Sequence, residues 1–194
     1  MTRGTFIAFE GGEGMGKSTQ ARLLAEHLRE PGGTPGAEAI RALLLAPPGE
    51  GWTLEAEALL FAAARADHVA RRISPALDAG TWVVCDRFLD SSRAYQGMAG
   101  GLGDGCVTAL HDIGSAGLLP DLTIVIDVPP ADVAARLVQR DGATSDAIGG
   151  RAADARACQA ASAFRACAQR ARTLRDSRWQ WDGRRGPPAR SRCR

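Results

Sequence analysis

The chain has 194 residues, of which 45% are apolar and 5% aromatic, and its formal net charge is +2. This length suits one domain with a sizeable core and is too short for two ordinary domains. The small net charge does not favour a nucleic-acid partner, although basic residues are concentrated after Arg165.

The sequence also limits where the protein can work. It has no run of eighteen apolar residues and no basic start followed by a long apolar stretch, so we expect no membrane association. The cysteines are odd in number and show no C-x-x-C or zinc-ligand spacing, which predicts unpaired thiols in a reducing, cytoplasmic compartment. They are Cys85, Cys106, Cys158, Cys167 and Cys193.

The first predicted element is a buried strand over residues 5–10, a short apolar run. Residues 11–18 follow it and fit the pattern G-x-x-x-x-G-K-[ST] at every fixed position. Residues 18–29 then have apolar side chains at helical spacing without Gly or Pro. A strand, a glycine loop and a helix in this order point backbone N–H groups at a phosphate.

The glycine loop predicts a site for a nucleoside triphosphate. Lys17 is the only lysine in the sequence, and its compact ammonium can reach between the β- and γ-phosphates. Ser18 can ligate Mg²⁺ through its hydroxyl, although it could equally be an ordinary residue at a helix start. The predicted nucleotide-binding residues are Gly11, Gly12, Glu13, Gly14, Met15, Gly16, Lys17, Ser18 and Thr19.

The loop alone does not separate an ATPase, a GTPase and a kinase. A GTPase would need an Asn-Lys-x-Asp element to read its base, and the single lysine already lies in the loop. A kinase is therefore favoured.

The elements that follow alternate between helices and strands. This alternation predicts an α/β fold with a parallel sheet covered on both faces, and ligands bound at the carboxyl ends of its strands. The predicted elements are a loop at 29–36, helices at 37–45 and 54–73, a strand at 81–85, a helix at 106–117, a strand at 122–128, and helices at 131–140 and 151–174.

A charged pair, Asp86 and Arg87, follows the predicted strand at 81–85. Arg87 could clamp an acceptor phosphate while Asp86 organises a magnesium shell or holds a neighbouring arginine. The alternative is a purely structural ion pair.

Three segments taken together resemble the bacterial thymidylate kinases. They are FIAFEGGEGMGKSTQ at 6–20, REPGGT at 29–34 and DRFLDSSRAYQG at 86–97, and GLLPDLT at 117–123 adds to the likeness. The resemblance implies a P-loop three-layer sandwich over residues 1–176. It also implies transfer of the γ-phosphoryl group of ATP, with Mg²⁺, to the substrate dTMP, giving dTDP and ADP.

The resemblance assigns roles to individual residues. Lys17 and Arg87 would neutralise the donor and acceptor phosphates, and Glu13 would lie near the acceptor sugar and phosphate. Phe61 and Arg65 match the pair that stacks on thymine and hydrogen-bonds its edge, although core packing is an alternative for Phe61. The other implied acceptor residues are Arg29, Ser92, Tyr95 and Gln96, and the implied metal-binding residues are Ser18 and Asp86.

The family places a catalytic arginine either in the phosphate loop or in a lid over ATP. Gly14 leaves the loop without one, so the resemblance implies a lid arginine. The candidates are Arg140 and Arg151, with Arg136 also considered, around a mobile lid at about 140–152. A homodimer that pairs through long helices is a further implication.

Several departures from the family pattern leave alternatives open. The segment before Arg29 is short enough for one edge strand to be absent, which could shift Arg29. Ala64 replaces an acidic residue beside Arg65, Gly100 replaces an arginine, and residues 177–194 have the composition of a disordered basic tail. The alternatives are a non-catalytic nucleotide-binding relative, or a P-loop kinase for another nucleotide or nucleoside.

Overall fold

A computed structural model of the chain describes residues 2–24, 28–128 and 132–133. Within them lies one sheet of four parallel strands in the order β2-β3-β1-β4. The strands are β1 (Phe6–Glu10), β2 (Leu28–Arg29), β3 (Val83–Asp86) and β4 (Leu122–Val125).

Helices connect the strands, and two of them begin at threonine caps. Thr34 Oγ1 accepts a hydrogen bond from Ala37 N at 3.1 Å, and Thr53 Oγ1 accepts one from Ala56 N at 3.3 Å. The helices are α1 (Lys17–Leu24), α2 (Pro35–Leu45), α3 (Leu54–His68), α4 (Ser74–Asp78), α5 (Leu89–Ser92) and α6 (Asp104–Ser115), with π-helical segments at Val69–Ile73 and Arg93–Ala99.

Each face of the sheet carries its own core. Alternate residues of β1 point to opposite faces, so Phe6 and Ala8 belong to one cluster while Ile7 and Phe9 belong to the other. The first cluster continues into the segment after α3 and into α6, and the second continues into Ala21 of α1. Helices therefore cover both faces, which confirms the predicted α/β sandwich.

The structure corrects three predicted boundaries. Helix α1 is described from Lys17 to Leu24, residues 25–27 lie outside the described residues, and Leu28–Arg29 form strand β2 instead of continuing the predicted helix to residue 29. The edge expected to lack a strand thus carries one of two residues, which pairs with β3. The helix predicted at 54–73 gives way to a π-helical turn at Val69, and β4 ends at Val125 rather than at residue 128.

Several predictions fall on other parts of the chain. The helices expected at 131–140 and 151–174, the lid at about 140–152 and the tail at 177–194 lie outside the described residues, apart from residues 132–133. Within the described residues, no helix is both long and apolar enough to cross a bilayer.

We expect the core on the α4 side of the sheet to depend on Leu77, whose side chain is 1% exposed. Leu77→Ala should lower the free energy of unfolding by about 3 kcal/mol, because it removes buried methyl groups and leaves a cavity. Urea unfolding followed by circular dichroism measures this. Leu119→Ala, at a site 58% exposed, is the matched control and should change the free energy by less than about 0.5 kcal/mol. Equal effects of the two substitutions would contradict this placement of the core.

Candidate active site

The carboxyl ends of β1 and β3 bring two sequence motifs together. Phe9 of β1 is in register with Asp86 of β3, and Arg87 N donates to Phe9 O at 2.8 Å. The glycine loop leaves β1 directly after Glu10, so it begins beside the Asp86-Arg87 pair. Strand ends of this kind bind ligands in parallel sheets.

Backbone geometry explains why the loop starts with glycine. Gly11 has φ +135°, and a Cβ added there would lie 2.5 Å from Ile126 O, so a side chain would collide with the segment after β4. Gly12 N is held by the sulfur of Met15 at 3.1 Å. Helix α1 then begins at Lys17, and Thr19 lies in its first turn.

The two predicted phosphate-binding cations meet at the start of this loop. Lys17 Nζ donates to Gly12 O at 2.6 Å, and Arg87 Nη1 donates to Gly11 O at 3.2 Å. Arg87 also donates to Ser91 Oγ at 3.1 Å, and its backbone has a left-handed φ of 73°. An ammonium and a guanidinium on neighbouring carbonyls therefore face one crevice.

Burial and a neighbouring cation both act on the pKa of the lysine. Burial, together with the nearby positive charge of Arg87, lowers the pKa of Lys17 to about 7. The carboxylates of Asp86, Glu10 and Glu13 act in the opposite direction. A bound polyphosphate would add negative charge here and favour the charged ammonium.

Ser18 and Asp86 form the part of the crevice suited to a divalent cation. Ser18 Oγ donates a short hydrogen bond to Asp86 Oδ2, so the two residues predicted to bind metal are in contact. Asp86 Oδ1 is buried and has no hydrogen-bond partner among the described residues. A hydroxyl beside a carboxylate with a spare oxygen fits the oxygen preference of Mg²⁺.

Glu10, the last residue of β1, binds the segment that follows Arg87. It was not among the predicted site residues. Its Oε1 accepts from Phe88 N at 2.8 Å and Ser91 N at 3.2 Å, and its Oε2 accepts from Ser91 Oγ at 2.6 Å. The side chain is fully buried. Burial, together with the negative charge of Asp90, raises the pKa of Glu10 to about 7.

Helix α3 and the segment after β3 form the predicted acceptor side. Arg65 is 3% exposed and donates through Nη2 to Ser92 Oγ at 2.7 Å and to Phe88 O at 3.2 Å. Its Nε donates to Glu30 Oε2 at 2.8 Å. Arg65 and Ser92 are thus in contact, and Glu30 supplies the orienting partner that the sequence, with Ala64 beside Arg65, did not show.

The remaining predicted acceptor residues are distributed around this pair. The guanidinium carbon of Arg87 lies 5.5 Å from the centre of the Tyr95 ring. Gln96 is buried and donates to Glu57 Oε1 at 2.8 Å. Glu57 is four residues before Phe61, and Phe61 is four residues before Arg65, so these side chains share one face of α3.

Two other predicted residues can be placed only in part, and two cannot be placed. Glu13 lies half-buried in the glycine loop, close enough for its charge to act on Lys17. The backbone of Arg29 pairs with Asp86 at the sheet edge. Arg140 and Arg151 lie outside the described residues.

Sequence reasoning did not assign roles to Glu10, Glu30 and His68. One local signal was available for Glu10, since it is the only charged residue in an otherwise apolar strand. Glu30 contacts Arg65, 35 residues further along the chain, and His68, 38 residues further along. Motif spacing in the sequence does not reveal contacts between residues so far apart.

The chain is similar to proteins of known family. Its residues 9–175 match the model of the thymidylate kinase family. It is 60% identical over 153 residues to a thymidylate kinase of Rhizorhabdus wittichii, covering 74% of this chain and 74% of that protein. It is 54% identical over 137 residues to a thymidylate kinase of Nitrobacter winogradskyi, covering 66% of this chain and 60% of that protein.

A solved structure agrees with these sequence comparisons. The crystal structure of thymidylate kinase from Ehrlichia chaffeensis matches with a TM-score of 0.67 and 32% identity. The match covers 87% of this chain and 84% of that one.

The buried Glu10 should make stability depend on pH. Its pKa is about 7 in the folded protein, whereas the ordinary pKa of a glutamate is 4.5, so between these pH values only the folded state holds the proton. The free energy of unfolding should therefore fall by about 3 kcal/mol as the pH rises from 4.5 to 7. Glu10→Gln should lose this contribution, which urea unfolding at a series of pH values will measure against the unsubstituted chain. Glu55→Gln, on the exposed side of α3, is the control and should leave the pH dependence of the free energy of unfolding unchanged. If Glu10→Gln and the unsubstituted chain show the same pH dependence, Glu10 is not its source.

Proposed function

The chain belongs to the thymidylate kinase family, and we propose that it transfers the γ-phosphoryl group of ATP to dTMP, giving dTDP and ADP. One observation carries the assignment of this chemistry to particular residues. Lys17 Nζ and Arg87 Nη1 donate to the neighbouring carbonyls of Gly12 and Gly11, so a buried ammonium and a half-buried guanidinium face the place where two phosphate chains would meet.

The donor nucleotide would occupy the glycine loop. Its phosphates would accept from the loop's backbone N–H groups and from those at the start of α1, and the Lys17 ammonium would exchange the Gly12 carbonyl for phosphate oxygens. Ser18 and Asp86 would hold Mg²⁺, which neutralises charge on the transferred phosphoryl group. The chain's own contribution is to position the donor and to replace its hydration by fixed dipoles and charges.

The acceptor would approach from the α3 side. Arg87 would bind its phosphate, because the guanidinium fork suits two oxygens, and Tyr95 would stack against the other side of that guanidinium. The base would stack on Phe61 and meet Arg65, with Ser92 and Gln96 lining the pocket. Glu13 and Arg29 would lie near the acceptor phosphate.

The lid arginines complete the proposal. We assign the charge stabilisation over the transferred group to Arg140 or Arg151, because the loop position Gly14 has no side chain to supply it.

A cytoplasmic location remains part of the proposal, and the described thiols of Cys85 and Cys106 are free. No nucleic acid or membrane is required for the reaction.

The central test is ATP-dependent conversion of dTMP to dTDP in a coupled ADP-release assay. Turnover should require Lys17, since Lys17→Met removes the ammonium, and kcat should fall by at least about 100-fold. Lys17→Arg should not restore it, because the lysine is 6% exposed and a planar fork does not fit its contact with Gly12.

The outcomes of this assay separate the alternatives. A folded chain that binds ATP and dTMP in calorimetry without turnover would be a non-catalytic relative. Faster turnover of dUMP, dCMP or a deoxynucleoside than of dTMP would indicate another nucleotide or nucleoside kinase. Full activity of Lys17→Met would refute the mechanism.

We also propose a homodimer formed through the α3 and α6 faces. These two helices pack side by side, and Leu59 of α3 and Ile113 of α6 expose 56% and 85% of their surface. Long exposed apolar side chains on adjacent helices are typical of an interface.

Ile113→Glu should convert the dimer to a monomer in sedimentation velocity, because a charge would be buried at the interface. Trp82→Glu, at an exposed position just before β3, is the control and should leave the dimer intact. A monomeric unsubstituted chain would disprove the dimer while leaving the kinase proposal in place.

A further inference from the structure

We propose that Glu30 is a positioning residue for acceptor recognition, which together with His68 fixes the direction of the Arg65 guanidinium. The proposal rests on the dTMP kinase function proposed above. It concerns a buried network that lies between the sheet edge and helix α3.

The carboxylate of Glu30 is shared by two side chains of α3. Its Oε2 accepts from Arg65 Nε at 2.8 Å, and its Oε1 lies 3.2 Å from His68 Nδ1. All three side chains are nearly or fully inaccessible to solvent. A buried carboxylate with two N–H donors has a fixed orientation, because each oxygen is held by a separate partner.

The other bonds of Arg65 leave one nitrogen available. Nη2 is occupied by Phe88 O and Ser92 Oγ, and the guanidinium lies over the Phe88 ring at 5.4 Å. With Nε and Nη2 both engaged, the plane of the guanidinium cannot rotate. Nη1 takes part in none of these bonds, so it is the donor left for the edge of the acceptor base.

The loop that carries Glu30 is itself held on both sides. Glu30 N donates to Asp86 O at 3.0 Å, which ties it to the end of β3. Gly33 has φ +92°, and a Cβ there would lie 2.6 Å from His68 Nε2, so the imidazole packs directly against the loop backbone. The carboxylate is therefore placed by the same strand end that carries Asp86 of the phosphate crevice.

The cluster of Glu30, His68 and Cys85 also has donor atoms within 4.8 Å of one another, which would suit a metal ion. One observation favours the hydrogen-bonded network instead. The Arg65 guanidinium already occupies Glu30 Oε2, and its positive charge would repel a cation.

The test is a comparison of KM values for the two substrates. Glu30→Gln keeps the shape of the side chain, but its amide has one oxygen and cannot accept from both Arg65 and His68. The KM for dTMP should rise by about tenfold, because one charge-assisted bond to Arg65 is weakened or lost. The KM for ATP and kcat should each change by less than about twofold, the pattern of lost binding without lost chemistry.

A double-mutant cycle distinguishes positioning from general loss of structure. If Glu30 acts through Arg65, then Glu30→Gln should change the KM for dTMP by less than about twofold in an Arg65→Ala background. Asp67→Asn is the matched control, since Asp67 precedes His68 on α3 and binds Thr34 of the same loop and Arg71, but not Arg65. This control should leave the KM for dTMP within about twofold of the unsubstituted value.

The proposal is overturned if Glu30→Gln leaves the KM for dTMP unchanged, or if its full effect persists without Arg65. If thermal melting shows that Glu30→Gln does not fold, His68→Gln replaces it in the test. His68→Gln should raise the KM for dTMP, and should change it by less than about twofold in the Arg65→Ala background. Stabilisation of the unsubstituted chain, but not of His68→Gln, by added Zn²⁺ would overturn the proposal in favour of a metal site. Failure of the unsubstituted chain to phosphorylate dTMP refutes the proposed function instead, and dTMP calorimetry on the same variants then tests the positioning role alone.

Discussion

The parallel hydrogen-bond ladder between β1 and β3 fixes the two strand ends from which the glycine loop and Arg87 enter the crevice. It sets Phe9 opposite Asp86, so the chain leaves β1 into the glycine loop at the level where it leaves β3 into Arg87. The bond from Arg87 N to Phe9 O continues the ladder one step beyond the strand, and the arginine then turns with a positive φ. A shift of one residue would send these side chains to the opposite face of the sheet.

The same ladder explains why so much charge is buried beside it. Lys17 and Arg87 donate to neighbouring carbonyls, and the carboxylates of Asp86 and Glu10 act against the effect of the Arg87 charge on Lys17. The lowered pKa of Lys17 and the raised pKa of Glu10 both follow from this enclosure. A polyanion that enters a site arranged in this way would favour the charged ammonium of Lys17, which fits an enzyme whose two substrates both carry phosphates.

The sequence predicts the features that depend on neighbours in the chain. The apolar runs predict β1, β3 and β4, and the parallel sheet predicts that the glycine loop and Asp86 lie together at the carboxyl ends of β1 and β3. It did not predict strand β2, because Leu28 continues a helical pattern that pairing with β3 overrides. Nor did it predict the roles of Glu10 and Glu30, whose partners lie 78 to 81 and 35 to 38 residues away.

The shortened segment before Arg29 is the departure from the family pattern that bears most directly on the site, and the structure describes a strand at this edge. Among the described residues, strand β2 consists of Leu28 and Arg29, which lie opposite Cys85 and Asp86, at the carboxyl end of β3. Ligand groups in a parallel sheet are carried by the carboxyl ends of strands, whereas the amino ends serve mainly as scaffold. Because Glu30 N still bonds Asp86 O, the residue that holds Arg65 follows the strand end. The short edge therefore preserves the part of the strand that positions the site.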